Sequence, residues 1–222
     1  MCGRFAITLP NDAMAQMFGA MPANDLPDVP NYNVCPTTQI HTVTQEDGDP
    51  SRRRLRPMRW GFLPHWYKSP TDGPLLINAR GETIAQKPAF RAACRERRCL
   101  IPATGFYEWT KDADNKRLPW YIRPDDAQPL VFAGVWQVWN KGDTPLTTCA
   151  IVTTPASQTM SQIHHREPVT LREEDWGKWL GEEGKGAATL MKAAPQDFLK
   201  FHRVSTAVNS NRATGDSLVD PV

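Results

Sequence analysis

Arg98-Cys99-Leu100-Ile101-Pro102-Ala103-Thr104-Gly105-Phe106-Tyr107-Glu108-Trp109 is the stretch on which the reading of the fold turns. Its near-continuous apolar character, broken by Pro102 and Gly105, predicts one bent strand. Asp112 to Asn115 turns that strand back into Leu118–Arg123. Outward from this hairpin the pattern repeats. Leu130–Trp139 and Thr147–Thr153 pair around Asn140-Lys141-Gly142-Asp143, and residues 39–45 alternate as a strand. Glu46-Asp47-Gly48-Asp49 is a turn leading to a returning strand over 52–60, where Pro57 argues for an edge or irregular position. Leu75–Ala79 reads as a buried strand ending in Asn78-Ala79-Arg80, and short strands are expected at 3–8 and 203–208.

Helices fall between and around these strands. Asn11 and Asp12 offer caps for one carrying Met14, Met17 and Phe18 on one face. Pro88–Arg98 has a proline in its first turn and basic residues toward its end. Further helices are expected at 155–163, capped by Thr154, at 172–180 and at 195–201. Gly61-Phe62-Leu63-Pro64-His65-Trp66-Tyr67 is apolar yet rich in turn residues, as a loop that displays rings would be. With no internal repeat and no long linker, residues 2–222 are expected to form one α+β domain. Its sheet would be mostly antiparallel, curled or barrel-like, with helices at the periphery.

The chain has 222 residues, enough for a sizeable core, and a formal net charge of +2, so no global polycation points to nucleic acid. Eight tryptophans and twenty prolines suit β-rich structure with many turns. The cysteines are Cys2, Cys35, Cys94, Cys99 and Cys149. They contain no C-x-x-C pair, so no structural zinc is expected, and no other cofactor either. An odd count without a signal peptide suggests reduced thiols in the cytoplasm. No apolar run approaches the length of a membrane span.

The N-terminal Met1-Cys2-Gly3-Arg4-Phe5 places a small residue behind the initiator, so loss of Met1 is expected. Cys2 would then carry a thiol and an α-amine on one carbon, groups with reference pKa values near 8.5 and 8. Such a 1,2-aminothiol condenses with an aldehyde and closes a thiazolidine ring, or uses its amine as an internal base in acyl transfer. Alternation puts Tyr107 and Trp109 on one strand face and Phe106 and Glu108 on the other. A carboxyl held among large aromatic rings loses solvent and suits proton shuttling. An ordinary solvent-facing glutamate fits the pattern equally well. His164 and His165 stand before Pro168, where a surface cap is the ordinary reading; Arg166 beside them suits proton donation next to a phosphate. Asn78 and Arg80 are turn residues or an amide and a cation at a reacting centre. Arg52–Arg54, Arg56, Arg59, Arg91, Arg95, Arg97 and Arg98 are solvated faces in the simplest case. With Trp60, Phe62, Trp66 and Tyr67 among them, they also meet the recipe for single-stranded nucleic acid.

Several blocks together carry a resemblance. They are Met1–Phe5, Tyr32-Asn33-Val34-Cys35-Pro36-Thr37, Met58–Pro64, Asn78-Ala79-Arg80-Gly81-Glu82-Thr83, Arg98–Ala103, Gly105–Trp109 and Ile163-His164-His165-Arg166. In this order they resemble the SOS response-associated peptidase (SRAP) family. Val204–Val222 resembles its C-terminal segment. The resemblance implies a sensor of abasic sites in single-stranded DNA that forms a covalent DNA–protein crosslink. It implies Cys2 as the crosslinking residue, Asn78 as an amide in the pocket, Glu108 as acid and base, and His164 as a second proton shuttle. Arg4, Arg80 and Arg166 are then expected on DNA phosphates and Trp66 near the bases, in a monomer without membrane contact. Glu167 departs from the family's usual methionine, and a carboxylate beside Arg166 is expected to weaken its hold on phosphate. Two alternatives remain open: an N-terminal nucleophile amidohydrolase or cysteine peptidase, and a non-covalent binder of single-stranded DNA.

Overall fold

The computed structural model describes residues 2–46, 49–126 and 128–222. In chain order its strands are β1 (Phe5–Ile7), β2 (Ala20–Pro22), β3 (Asn31–Val34), β4 (Gln39–Glu46), β5 (Asp49–Trp60), β6 (Asn78–Arg80), β7 (Arg98–Ala103), β8 (Gly105–Lys111), β9 (Arg117–Pro124), β10 (Leu130–Trp139), β11 (Leu146–Pro155), β12 (Arg166–Pro168) and β13 (Leu199–Arg203). Three α-helices lie outside them: α1 (Asn11–Phe18), α2 (Arg91–Glu96) and α3 (Glu173–Leu180).

The stretch that opened the sequence reading is where the two sheets meet. It bends at Thr104, and the halves enter different sheets, β7 in one and β8 in the other. The first sheet runs β13-β9-β8-β1-β3, with every pairing antiparallel. The second runs β12-β11-β10-β7-β4-β5-β2, with β6 alongside β11. A short parallel pairing of Thr148 and Cys149 with Arg59 and Trp60 brings β11 back to β5. The sheet is therefore partly ringed without becoming a closed barrel. Between the sheets lies a core that includes Phe5, Trp60, Phe62, Phe106 and Phe132, all essentially inaccessible. Phe132 meets both Phe5 and Phe106 edge-on.

Pro57 fits this topology. The far side of β5 pairs with β2 at Arg53–Leu55 and with β11 at Arg59–Trp60, so the missing N–H of Pro57 falls between the two pairings. The turn expected at 46–49 includes Asp47 and Gly48, which lie outside the described residues.

Five local expectations are corrected. The helix at 88–98 is only Arg91–Glu96, because Lys87–Phe90 forms turns before it. Over 155–163 only a single 3-10 turn forms, Met160–Gln162; Thr154 belongs to β11, and the Ser157 hydroxyl accepts from the Met160 N–H. The helix at 195–201 is replaced by β13, which pairs along β9 from Leu199 to Arg203. After it, residues 206–209 form a 3-10 turn, not the end of a strand. Asn11 does not cap its helix; its side chain is engaged with His41 Nε2 at 2.8 Å. Among the described residues no helix is long and apolar enough to cross a membrane.

Candidate active site at the N-terminus

β1 is an interior strand of its sheet, held by β3 on one side and β8 on the other. Phe5 lies opposite Phe106 and Ala6 opposite Gly105, and the Tyr107 N–H donates to the Arg4 carbonyl at 2.9 Å. This register carries the residues before Phe5 toward Glu108. The alternation read from the sequence holds. Tyr107 and Trp109 pack with Ala6 in a small outer cluster, while Phe106 and Cys2 share the main core. Glu108 lies on the core side and is 3% exposed, which rules out the solvent-facing reading.

Cys2 is fully buried. Burial and then the Glu108 carboxylate push its thiol far above the ordinary range, so at neutral pH the sulfur carries its proton. The same carboxylate acts on His164, whose pKa is nonetheless lowered, chiefly by burial. One carboxylate therefore faces both groups. Asn78 closes the cluster: its Nδ2 donates to the Cys2 carbonyl at 2.9 Å. Asn78 Oδ1 is shielded from solvent and has no hydrogen-bond partner among the described residues.

β11 organises the far wall. From Ile151 to Thr153 it pairs in parallel with Asn78–Arg80, and from Thr153 to Pro155 it pairs with Arg166–Pro168. One strand thus sets both the amide and the histidine segment. The Arg166 N–H donates to His164 Nδ1 at 3.0 Å, which leaves the proton of the neutral ring on Nε2. His165 is exposed and stacks on His164 with centroids 4.3 Å apart.

Beside this cluster a cleft of about 480 Å³ is lined by Trp66, Leu76, Asn78, Arg80, Ile84, Lys87 and Phe90 among others. Its loop is fixed from below. Gln137 Nε2 donates to the Leu63 carbonyl, Trp139 Nε1 donates to the Tyr67 carbonyl at 2.9 Å, and Phe62 and Tyr67 are buried. Trp66 alone among the expected stacking rings stands out, at 45% exposed; Trp60, Phe62 and Tyr67 are core residues. The arginine groups are correspondingly occupied elsewhere. Arg53 pairs with Glu182, Arg52 and Arg54 with Glu46, Arg59 with the Gly61 carbonyl, and Arg98 with the carbonyls of Trp179, Cys94 and Arg95.

Of the three arginines singled out, Arg80 is exposed at the cleft. Arg4 is half-buried, donating to Asn33 Oδ1 at 2.6 Å and to the Val208 carbonyl, with its guanidinium over Trp109. Arg166 is buried and turned inward: both terminal nitrogens meet the Glu82 carboxylate, and Nη2 also donates to Thr153. Glu167 does not face it. Successive strand residues point to opposite sides. Glu167 is therefore fully buried away from Arg166, accepting from the N–H and hydroxyl of Ser157 and from the Ala194 N–H. The expectation that it competes with phosphate for Arg166 is overturned by this direction.

Asn33 and Glu82 were not singled out, although both lie inside quoted blocks. Polar residues within otherwise apolar or turn-rich blocks were the available signal. All five cysteines are free thiols, and among the described residues no three His, Cys, Asp or Glu side chains gather as metal ligands.

A buried cysteine at position 2 thus has a carboxylate, an imidazole and an amide around it. The chain belongs to the SOS response associated peptidase (SRAP) family, whose model matches residues 1–211. It is 34% identical over 227 residues to the abasic site processing protein YoqW of Bacillus subtilis, covering 99% of each chain. To the abasic site processing protein YedK of Escherichia coli it is 32% identical over 231 residues, covering 100% of both. The solved structure of a Bacteroides thetaiotaomicron protein matches with a TM-score of 0.85 at 23% identity over 100% of both chains, a likeness of fold.

Proposed function

We propose that this protein senses abasic sites in single-stranded DNA and shields them by a covalent thiazolidine crosslink through Cys2. The observation that carries the reading is the convergence of buried Cys2 and Glu108 with half-buried Asn78 and His164 beside the cleft bearing Trp66 and Arg80. The names of the relatives YoqW and YedK, abasic site processing proteins, point to the same substrate.

The chemistry follows from the states of the groups. An abasic deoxyribose reacts through its ring-opened C1′ aldehyde, and proton transfer by His164 and Glu108 assists the opening. Because the thiol holds its proton, the α-amine of Cys2 attacks first. Its lone pair forms the N–C1′ bond, and loss of water, with Glu108 as proton donor, gives the imine. The Cys2 sulfur then adds to the imine carbon as Glu108 takes the thiol proton. The C=N pair goes to nitrogen, which is protonated, and the ring closes without an oxidant or reductant. Asn78 holds the Cys2 backbone so that amine and thiol meet one carbon. Arg80 and Arg4 bind flanking phosphates. Arg166 can give a phosphate only the Nη1 hydrogen that Glu82 does not use. Trp66 stacks on an unpaired base, which a duplex does not offer.

The amine is free only once Met1, which lies outside the described residues, has been removed. Self-removal through Glu108 is part of the proposal and is read from Met1 retention in wild type against Glu108→Gln. Intact-mass spectrometry of the protein mixed with abasic single-stranded DNA tests the whole. An adduct of protein plus DNA less one water, absent from Cys2→Ala, is expected; no adduct, or one that survives Cys2→Ala, refutes it.

A further inference from the structure

We infer that Glu82 is a positioning residue for His164, acting through the side chain and backbone of Arg166. This rests on the function proposed above and names a part of the machinery that the chemistry did not use.

The segment carrying His164 needs an anchor. β12 has only three residues and lies at the end of its sheet. Its first residue, Arg166, stands opposite Pro155 in a non-hydrogen-bonded pair, and beyond it the ladder ends with the Ala156 N–H on the His165 carbonyl at 3.1 Å. The Arg166 side chain adds a second attachment. Nη2 donates to the Thr153 carbonyl at 2.8 Å and to the Thr153 hydroxyl at 3.0 Å, on the neighbouring strand. The two terminal nitrogens then take both oxygens of Glu82, the bidentate geometry that fixes a guanidinium in plane and direction.

The anchored residue is the one that sets the imidazole. The Arg166 N–H meets His164 Nδ1 at 3.0 Å, and its carbonyl lies 3.2 Å from the same nitrogen. The N–H holds the neutral ring with its proton on Nε2. The carbonyl accepts from Nδ1 when the ring is charged. Both states of a proton shuttle are thus served by the backbone of one residue, whose side chain is held in the Glu82–Arg166–Thr153 clamp. Glu82 itself stands partly in solvent, with its side chain 44% exposed, and Arg166 holds its carboxyl below the usual range, so it stays ionised at neutral pH. Removing the carboxylate leaves the buried guanidinium without its countercharge, so the pair matters to stability as well. Its consequence for His164 is geometric.

Glu82→Gln keeps the shape and removes the charge; Glu82→Asp keeps the charge on a shorter arm. Two measurements decide, the first without DNA. With ¹⁵N-labelled histidine, wild-type His164 is expected as the Nε2–H tautomer, and Glu82→Gln as a mixture of tautomers. In single-turnover crosslinking at saturating abasic single-stranded DNA, Glu82→Gln is expected to slow the rate by on the order of 10- to 100-fold with little change in Kd. Glu82→Asp is expected to recover part of it. An unchanged tautomer and rate in Glu82→Gln overturn the inference. So does a change confined to Kd and its salt dependence, which would make Glu82 only a regulator of Arg166 as a phosphate ligand. If Glu82→Gln does not fold, the same two readouts are taken from Glu82→Asp, where wild-type values overturn it. Absence of crosslinking by the wild type would instead strike the proposed function and leave the tautomer result standing.

Discussion

Replacing His41 with glutamine removes a titrating group from the core and makes a quantitative test of the fold possible. His41 is 3% exposed in the middle of β4, with Nε2 engaged by the Asn11 side chain. Burial pushes its pKa down from 6.5 to about 4, against a backbone hydrogen bond at Pro27 that raises it. The folded pKa lies below the unfolded one, so between the two values the unfolded chain binds more protons and stability falls as pH falls. Integrating across that window gives a loss of about 2 kcal/mol at pH 5 and about 3 kcal/mol at pH 4, relative to pH 7. Urea denaturation from pH 7 to pH 5 measures it in a range where most carboxylates stay ionised. Wild type should lose about 2 kcal/mol more than His41→Gln across this range. His164 contributes in the same direction to both proteins and cancels in the difference. Parallel pH profiles for the two would refute the reasoning, because they would mean that His41 takes up its proton in the folded state at no cost.

The site and its surroundings make further predictions. A variant retaining one residue ahead of Cys2 should keep its thermal midpoint and give no DNA adduct by intact mass. Gly105→Ala should lower stability by about 1–3 kcal/mol in urea, since the added carbon would stand 2.4 Å from the Tyr121 ring and 2.7 Å from the Ile122 carbonyl oxygen. Glu167→Gln should cost about 2 kcal/mol in urea unfolding, through weakened hydrogen bonds to a buried charge. It should leave the salt dependence of DNA binding unchanged; a steeper salt slope would restore the idea that this carboxylate competes for Arg166. Trp66→Ala should weaken binding to abasic single-stranded DNA by about 1–3 kcal/mol in fluorescence titrations.

Much of the site was legible because its signals are local. The face of β8 that carries Glu108 follows from strand alternation, and the reactivity of Cys2 follows from its position. The pairings are another matter. The stretch 195–201 looks helical alone, and only β9, more than seventy residues earlier, makes Leu199–Arg203 a strand. The block at 155–163 carries a helix-like pattern, yet β11 continues through Pro155 and Ser157 is drawn to Glu167. The inward turn of Arg166 depends on Glu82 and Thr153, and nothing near Arg166 in sequence announces either. Stacking rings and cations suited to nucleic acid are likewise indistinguishable in sequence from the aromatic core and the ion pairs that most of them turn out to form.

The seating of Arg4 has a consequence for how the protein is made. Arg4 donates to Asn33, and Asn33 in turn donates to the carbonyls of Ser210 and Ala213; β1 is completed only when β8 pairs with it. Arg4 is therefore seated through contacts that reach up to 204 residues along the chain. Contacts of such sequence separation form late in folding. Self-removal of Met1 through Glu108, as proposed above, then waits until β8 stands beside β1. On that proposal the aminothiol is first uncovered inside the folded site, and the nascent chain presents no such group to the aldehydes of the cell.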